Sequence, residues 1–199
     1  MISKKFFTSS SLTYFVAFIP AYYLLYQFYF GLAWIDPIEE GLHGFGIWAL
    51  RFLLLSLAVR PIVRLSHQPQ WMRYRKIFGL ASVFYLCCHI VIYVLYDQDL
   101  MWRTVVEELT TRFYLLIGLV AAIGLLSMAS TSNQYSIARL GHNWQRLHQG
   151  VYFWASLVVL HFYLSVKADF LEPLIYAAIL LWLLGLRGWW RMNPGAKWG

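Results

Sequence analysis

Residues 77–96 read IFGLASVFYLCCHIVIYVLY, a run of 20 positions that contains no lysine, arginine, aspartate or glutamate. Because a helix needs about 20 mainly apolar residues to cross a bilayer, this run predicts a transmembrane helix. His89 lies inside the run, and ionisable side chains at such a depth are rare and usually functional. This stretch therefore indicates both a membrane fold and a candidate site.

Similar runs recur along the 199-residue chain, which is 60% hydrophobic and only 13% charged, whereas soluble domains carry about 25% charged residues. We predict an all-α, polytopic membrane protein, a six-transmembrane-helix bundle that forms one domain over residues 1–199. Pro20 in the first helix predicts a kink whose freed carbonyl is satisfied by a neighbouring helix. The predicted helices cover residues 12–30, 46–63, 77–96, 113–128, 147–166 and 174–190.

The charged residues between these helices fall into two sets. Twelve lysines and arginines lie on the side that holds both termini, and three lie on the other side with all nine acids. Because cytoplasmic loops carry the basic excess of membrane proteins, both termini are predicted to be cytoplasmic. The net charge of +7 then reflects topology and does not indicate nucleic-acid binding. The twelve are Lys4, Lys5, Arg60, Arg64, Arg73, Arg75, Lys76, Arg139, Arg146, Arg187, Arg191 and Lys197, and the acids are Asp36, Glu39, Glu40, Asp97, Asp99, Glu107, Glu108, Asp169 and Glu172.

His161 lies at a depth similar to that of His89, in the fifth predicted helix. The third and fifth helices enter from the same side, and at 1.5 Å per residue His89 is about 18 Å and His161 about 21 Å along its helix. Two imidazoles at one depth can supply the two axial nitrogens of a haem iron. We therefore predict that this pair binds a b-type haem. The alternative is that each histidine is hydrogen-bonded to a neighbouring helix.

His148 begins the fifth predicted helix, 13 residues before His161, and the corresponding rise of about 20 Å suits a second, stacked haem. This spacing also turns a regular helix to nearly its opposite face, so a bend, a π-bulge or haems on different flanks of the helix would be required. Arg75 and Lys76 occupy the positions on the third helix where a partner ligand is expected. His148 is thus a candidate ligand, with an interfacial histidine as the alternative.

His43 lies at the outer end of the second predicted helix, and Arg51 lies two turns deeper. A bare arginine at that depth costs about 2.5–3.5 kcal/mol. Arg51 therefore needs a partner, which a haem propionate, a quinone oxygen or an acid such as Glu172 would supply. His43 is compatible with a quinone hydrogen bond, a haem ligand or simple interfacial placement.

The remaining candidate ligands have simpler interpretations. His67 and His142 fall in predicted loops, where a solvated histidine is expected. Cys87 and Cys88 are adjacent within an apolar run. We interpret them as two small buried apolar residues, because no ligand cluster with metal spacing surrounds them.

Six short motifs occur in a fixed order along the chain. In this order and spacing, they make the chain similar to the MsrQ family (also called YedZ), haem-binding membrane subunits that serve a periplasmic methionine sulfoxide reductase. The motifs are Asp36-Pro37 with His43 and Gly46; Arg75 and Gly79 with His89; Thr111-Arg112-x-Tyr114; Trp144-Gln145-x-Leu147-His148; His161 with Ser165-Val166-Lys167; and Pro173-Leu174-Ile175-Tyr176.

The resemblance implies a fold similar to the membrane domain of ferric reductases and NADPH oxidases, in which histidines of helices 3 and 5 hold stacked haems. His89, His148 and His161 match those ligand positions, whereas the inner histidine of helix 3 is absent here. The resemblance also implies one or two b-type haems and flavin mononucleotide (FMN).

The resemblance further implies an electron-transfer subunit without a complete catalytic site of its own. Electrons are expected from membrane quinone, or from a cytoplasmic flavin reductase, because residues 1–199 contain no soluble FAD/NAD module. They would pass to a periplasmic molybdenum-containing subunit that reduces methionine sulfoxide in oxidised proteins, with the acidic outer loops as its docking surface. Two alternatives stay open: another quinol-linked b-type cytochrome or ferric reductase-like subunit, and a haem-free transporter or scaffold.

Overall fold

The computed structural model describes residues 3–31 and 34–193, and within these ranges the regular structure is helical, without strands. A 3₁₀ turn at Pro69–Trp71 precedes the third α-helix, and a π-helix at Tyr93–Asp97 continues it. The α-helices are α1 Ser3–Phe30, α2 Pro37–Ser66, α3 Met72–Ile92, α4 Trp102–Thr111, α5 Phe113–Ser130, α6 Gln134–Leu140, α7 His142–Gln149, α8 Val151–Ser165 and α9 Leu171–Met192.

Four helical segments are long and apolar enough to cross a membrane, by length and composition: Pro37–Ser66, Pro69–Asp97, Phe113–Ser130 and Leu171–Met192. They coincide with four of the six predicted helices. In the described part of the chain, α1 and the 15-residue α8 do not meet the same standard. The membrane character is thus supported, and the number of six crossings stays a prediction.

The fifth predicted helix, residues 147–166, is not continuous in the structure. It is divided at Gly150, whose N–H bonds to the carbonyl of Leu147, three residues back, at 3.0 Å. The break lies between His148 and His161, and a bend in this stretch was one of the alternatives that their spacing left open. Two predicted loops also contain helices, α4 on the acidic side and α6 on the basic side. Both are too short for an apolar run to indicate them.

The longest helix, α2, begins at a strong sequence signal. The carboxylate of Asp36 accepts hydrogen bonds from the N–H groups of Ile38 and Glu39 at 2.9 and 3.0 Å, and Pro37 opens the first turn. Such a cap satisfies backbone donors that a helix start leaves free. α2 packs against α1, α3, α8 and α9, so it supports both sides of the bundle.

Two buried clusters occupy the two sides of α2. One contains Leu50 and Leu54 with residues of α8 and α9, and the other contains Phe45 and Phe52 with residues of α1 and α3. α5 in turn packs against α8 and α3. This arrangement brings α3 and α8, the helices that carry His89 and His161, into one interior.

Tyr85 of α3 ties α1 to the bundle near Pro20. Its hydroxyl donates to the carbonyl of Ala17 at 2.7 Å and accepts from the N–H of Ala21 at 2.8 Å. The hydroxyl therefore inserts between two groups that would bond to each other in a regular helix. The carbonyl that Pro20 itself leaves free is that of Val16, four residues earlier, so the predicted partner for that carbonyl and the predicted kink stay untested.

Candidate functional site

His89 projects from α3 towards α2. Its Nδ1–H donates to the carbonyl oxygen of Leu42 at 2.8 Å. Since a carbonyl only accepts, the neutral ring carries its proton on Nδ1, and Nε2 keeps a free lone pair. Metal-bound histidines usually make this kind of hydrogen bond to a backbone carbonyl, because it fixes the tautomer and the ring orientation.

His161 makes the equivalent contact on the other side of the interior. It projects from α8 towards α5, and its Nδ1–H donates to the carbonyl oxygen of Tyr114 at 2.8 Å. Within residues 3–31 and 34–193, neither Nε2 has a hydrogen-bond partner. The two rings are thus both oriented and both available through the nitrogen that a metal would bind.

The rings of His89 and His161 face each other, as their similar predicted depths led us to expect. Their centroids are 6.5 Å apart and their planes are inclined by 86°. Two imidazoles that each bind one metal ion at about 2.0–2.1 Å through nitrogen have ring centres roughly 6.3 Å apart. The separation therefore fits a single iron shared between the two rings.

A glycine lies against each imidazole. A Cβ added to Gly46 of α2 would lie 3.0 Å from Nδ1 of His89, and one added to Gly118 of α5 would lie 2.7 Å from Nδ1 of His161. The second distance is too short for a carbon and a nitrogen in contact. Because glycine has no Cβ, both positions have room for the histidine rings that lie against them.

The donor set favours haem over a bare metal ion. Among the residues that the structure describes, no group of three or more His, Cys, Asp or Glu side chains is placed to hold a metal. A structural zinc site needs four protein ligands. In haem the macrocycle binds the iron in its plane and the protein supplies axial ligands, so two histidines are sufficient.

His148 has a different environment. Its Nε2 lies 3.2 Å from the hydroxyl of Thr131, and its ring stacks on Trp144 at a centroid distance of 4.2 Å. No second histidine faces it in the described residues, and Arg75 lies within electrostatic range. The structure therefore does not bring His148 to the His89–His161 pair.

Arg51 and His43 share one acid, Glu172 of α9. The guanidinium of Arg51 lies 3.7 Å from its carboxylate, and Nε2 of His43 lies 3.5 Å from it. Arg51 also donates through Nε to the hydroxyl of Tyr176 at 2.8 Å. Glu172, one of the partners considered for Arg51, is therefore in contact with it. Leu42, which precedes His43, accepts the hydrogen bond of His89.

The other candidate ligands lie away from this site. His67 caps the end of α2 with φ 54°, and His142 begins α7 and is exposed. Cys87 is exposed and Cys88 partly so, both as free thiols. The prediction that both cysteines are buried is therefore wrong for Cys87, because it faces outward from α3.

Two residues of the site were not predicted. Gly118 and Tyr176 contact His161 and Arg51 respectively, yet neither belongs to a residue type that by itself indicates a redox site. A signal for Gly118 exists in the spacing, since Gly46 precedes His89 by 43 residues and Gly118 precedes His161 by the same number.

Comparison with known families gives one matching description, "Ferric reductase like transmembrane component", over residues 45–160. The match begins inside α2 and ends in α8, one residue before His161, and it includes His89 and His148. No solved structure matches the chain.

Curated relatives match over a longer stretch. A protein of Xanthomonas oryzae pv. oryzae is 40% identical over 158 residues, which cover 79% of this chain and 72% of the relative. One from Brucella anthropi is 38% identical over 177 residues, covering 87% of this chain and 80% of the relative. A Xanthomonas campestris pv. campestris protein is 41% identical over 158 residues, covering 79% of this chain and 72% of the relative. Each is named "Protein-methionine-sulfoxide reductase heme-binding subunit MsrQ".

Proposed function

The chain belongs to the ferric reductase-like transmembrane family and to the MsrQ haem-binding subunits, and on that premise we propose that it is the membrane electron-transfer subunit of a protein-methionine-sulfoxide reductase. The observation that carries the proposal is the facing pair His89 and His161, with 6.5 Å between ring centroids. Bound haem supplies a one-electron carrier at this position.

His89 and His161 are the proposed axial ligands of a b-type haem. The carbonyls of Leu42 and Tyr114 hold each Nδ1–H, which orients the ring and makes Nε2 a better donor to iron. His148 is proposed as a ligand of a second haem. For that role its Nε2 would exchange the contact with Thr131 for a bond to iron.

The topology that we propose has six crossings within one domain, with both termini in the cytoplasm of a bacterium and the protein in its inner membrane. α1 and the divided helix α7–α8 would be the two crossings beyond the four long apolar segments. The distribution of twelve basic positions against three supports this orientation. It places the Arg51–Glu172 contact near the periplasmic face.

Electrons are proposed to come from the quinone pool, or from a cytoplasmic flavin reductase. They would leave to a periplasmic molybdenum-containing reductase that acts on methionine sulfoxide in oxidised proteins. His43 and Arg51, half-exposed and both in contact with Glu172, are proposed to contact quinone or a haem propionate. FMN rests on the family resemblance alone.

The surface for the periplasmic partner is proposed to be the acidic loops. Glu39 and Glu40 at the start of α2 and Glu107 of α4 are exposed there. Attraction between exposed charges is screened over about 8–10 Å at ordinary salt concentrations. Association with the partner should therefore weaken as salt is raised. When these three glutamates are replaced by glutamine, the dependence of association on salt should be smaller.

The function can be tested with the purified full-length protein and its periplasmic reductase. The haem is reduced with a quinol, and its absorbance is followed by stopped flow after the partner and methionine sulfoxide are added. Oxidation that needs both additions supports the proposal. As a control, His142→Ala, which removes a histidine outside the proposed ligands, should behave like the wild type. Haem that stays reduced in their presence would contradict the acceptor and favour another quinol-linked b-type cytochrome. Absence of a haem spectrum would contradict the redox role.

A further inference from the structure

Three arginines from three helices converge at the end of the bundle opposite the acidic loops. Arg75 begins α3, and its carbonyl accepts a hydrogen bond from the hydroxyl of Ser56 in α2 at 2.8 Å. Arg60 follows Ser56 by one helical turn, so it lies on the same face of α2. Arg187 follows Leu183, which is buried in the cluster shared by α2, α8 and α9.

Tyr152 at the start of α8 connects this group. Arg187 donates through Nη1 to the Tyr152 hydroxyl, and its guanidinium carbon lies 3.9 Å from the centre of that ring. Arg60, Arg187 and Tyr152 lie within electrostatic range of the guanidinium of Arg75. The four side chains thus form one cluster, which we name the basic cluster, drawn from α2, α3, α8 and α9.

The basic cluster has no acid to neutralise it. Within residues 3–31 and 34–193, none of its arginines makes an ion pair with a carboxylate; the ion pairs found there involve His43, Arg51 and Arg112, at the opposite end. All nine acids of the chain belong to the segments at that end. Arg75 and Arg187 are half-buried and Arg60 is exposed, and like charges that are brought together repel each other. An anion bound between them would remove this repulsion.

We propose that the basic cluster binds a phosphate group, carried either by an anionic lipid headgroup or by a soluble phosphate compound. A guanidinium presents a planar set of N–H donors that matches the oxygens of phosphate in pairs. Basic pockets between membrane helices on the cytoplasmic side bind phosphate-bearing headgroups. The Tyr152 hydroxyl adds a neutral donor, and arginines on different helices would be joined through one ligand.

The site predicts that phosphate stabilises the full-length protein. The thermal midpoint of the protein is measured in nanodiscs of pure phosphatidylcholine, with inorganic phosphate or sodium chloride at equal ionic strength. It is measured again in nanodiscs that contain phosphatidylglycerol. A rise with inorganic phosphate assigns a soluble ligand, and a rise with phosphatidylglycerol alone assigns a lipid headgroup. If neither raises the midpoint of the wild-type protein, the proposal is wrong.

Substitutions locate the effect. Arg75→Gln and Arg187→Gln should lose the rise, whereas Arg146→Gln, an exposed arginine of α7, should keep it. Arg75→Lys retains the charge without the planar donors, and it provides a folded variant with a reduced rise if the glutamine variant does not fold. Equal responses in all variants would overturn the assignment. The assignment would also be overturned if Arg75→Gln or Arg187→Gln lost a haem band that depends on His148 but kept the response to phosphate. The anion at the basic cluster would then be a haem propionate.

Discussion

His89 and His161 make the same hydrogen bond at the same distance along the chain: each Nδ1–H donates to the carbonyl oxygen of the residue 47 positions earlier, at 2.8 Å. Each of those carbonyls is followed, four residues later, by the glycine that lies against the ring. The helix pairs α2–α3 and α5–α8 therefore present an imidazole in the same way. This repeated unit explains how two unrelated apolar stretches orient a matched pair of imidazoles.

The glycines should be as necessary as the histidines that they contact. Gly118→Ala places a Cβ 2.7 Å from His161 Nδ1, whereas Gly46→Ala places one 3.0 Å from His89 Nδ1. Overpacking costs about 1–3 kcal/mol, or roughly a 5- to 150-fold loss of haem affinity. We expect less haem per protein in both variants, with the larger loss for Gly118→Ala.

Gly185→Ala is the matched control for this measurement, because a Cβ at that position meets nothing within 4 Å. Its haem content should equal that of the wild type. Wild-type haem content in Gly118→Ala would show that the His161 ring is not held as the structure places it.

The inclination of 86° between the two imidazole planes predicts the electron paramagnetic resonance (EPR) spectrum of the oxidised haem. Perpendicular ligand planes interact with different members of one pair of iron d orbitals, so the pair stays nearly degenerate and the g-values are strongly anisotropic. We expect a low-spin signal with a single, very large g-value. A rhombic low-spin signal with three well-resolved g-values indicates nearly parallel planes and would contradict this geometry.

Arg51 and Glu172 should shift the reduction potential of the haem in opposite directions. A positive charge favours the added electron, so Arg51→Gln should lower the potential, and Glu172→Gln, which leaves Arg51 unneutralised, should raise it. Coulomb interactions across a partly exposed site correspond to shifts on the order of tens of millivolts. A spectroelectrochemical titration measures both, with the distant Arg146→Gln as control. Shifts of the same sign in the two variants would refute a direct charge effect.

Tyr85→Phe should destabilise the protein without altering the haem spectrum. The substitution removes the hydroxyl between Ala17 and Ala21 of α1, and each buried polar group left without a partner costs about 1–3 kcal/mol. At about 2–4 °C per kcal/mol for a chain of this size, the thermal midpoint should fall by several degrees. Tyr22→Phe, at a position 75% exposed, should leave the midpoint unchanged. An equal midpoint in both variants would contradict this cost and would mean that Ala17 and Ala21 find partners without the hydroxyl, for example by bonding to each other.

Charged and ionisable groups were the part of the site that the sequence predicted well. His89, His161 and Arg51 stand out because apolar stretches rarely contain such side chains, and Glu172 was among the partners considered for Arg51. The structure brings the histidines together and pairs Arg51 with that acid. Their role as haem ligands stays a prediction.

Backbone partners and short helices were not predicted, for a physical reason. Every residue type has a backbone carbonyl, so no side chain in the sequence marks the carbonyls of Leu42 and Tyr114 as partners. α4 and α6 are too short to show the period of a membrane span. The division at Gly150 depends on local backbone geometry, and the basic cluster depends on four helices meeting, which no single segment reveals.

The central claim is that one iron is shared by His89 and His161, and the optical spectrum of the dithionite-reduced protein tests it most directly. His89→Ala and His161→Ala are purified beside His142→Ala, an exposed histidine outside the pair. We predict that both ligand variants lose the sharp low-spin b-type bands of this haem while His142→Ala keeps them. Full retention of those bands in either ligand variant would contradict the account.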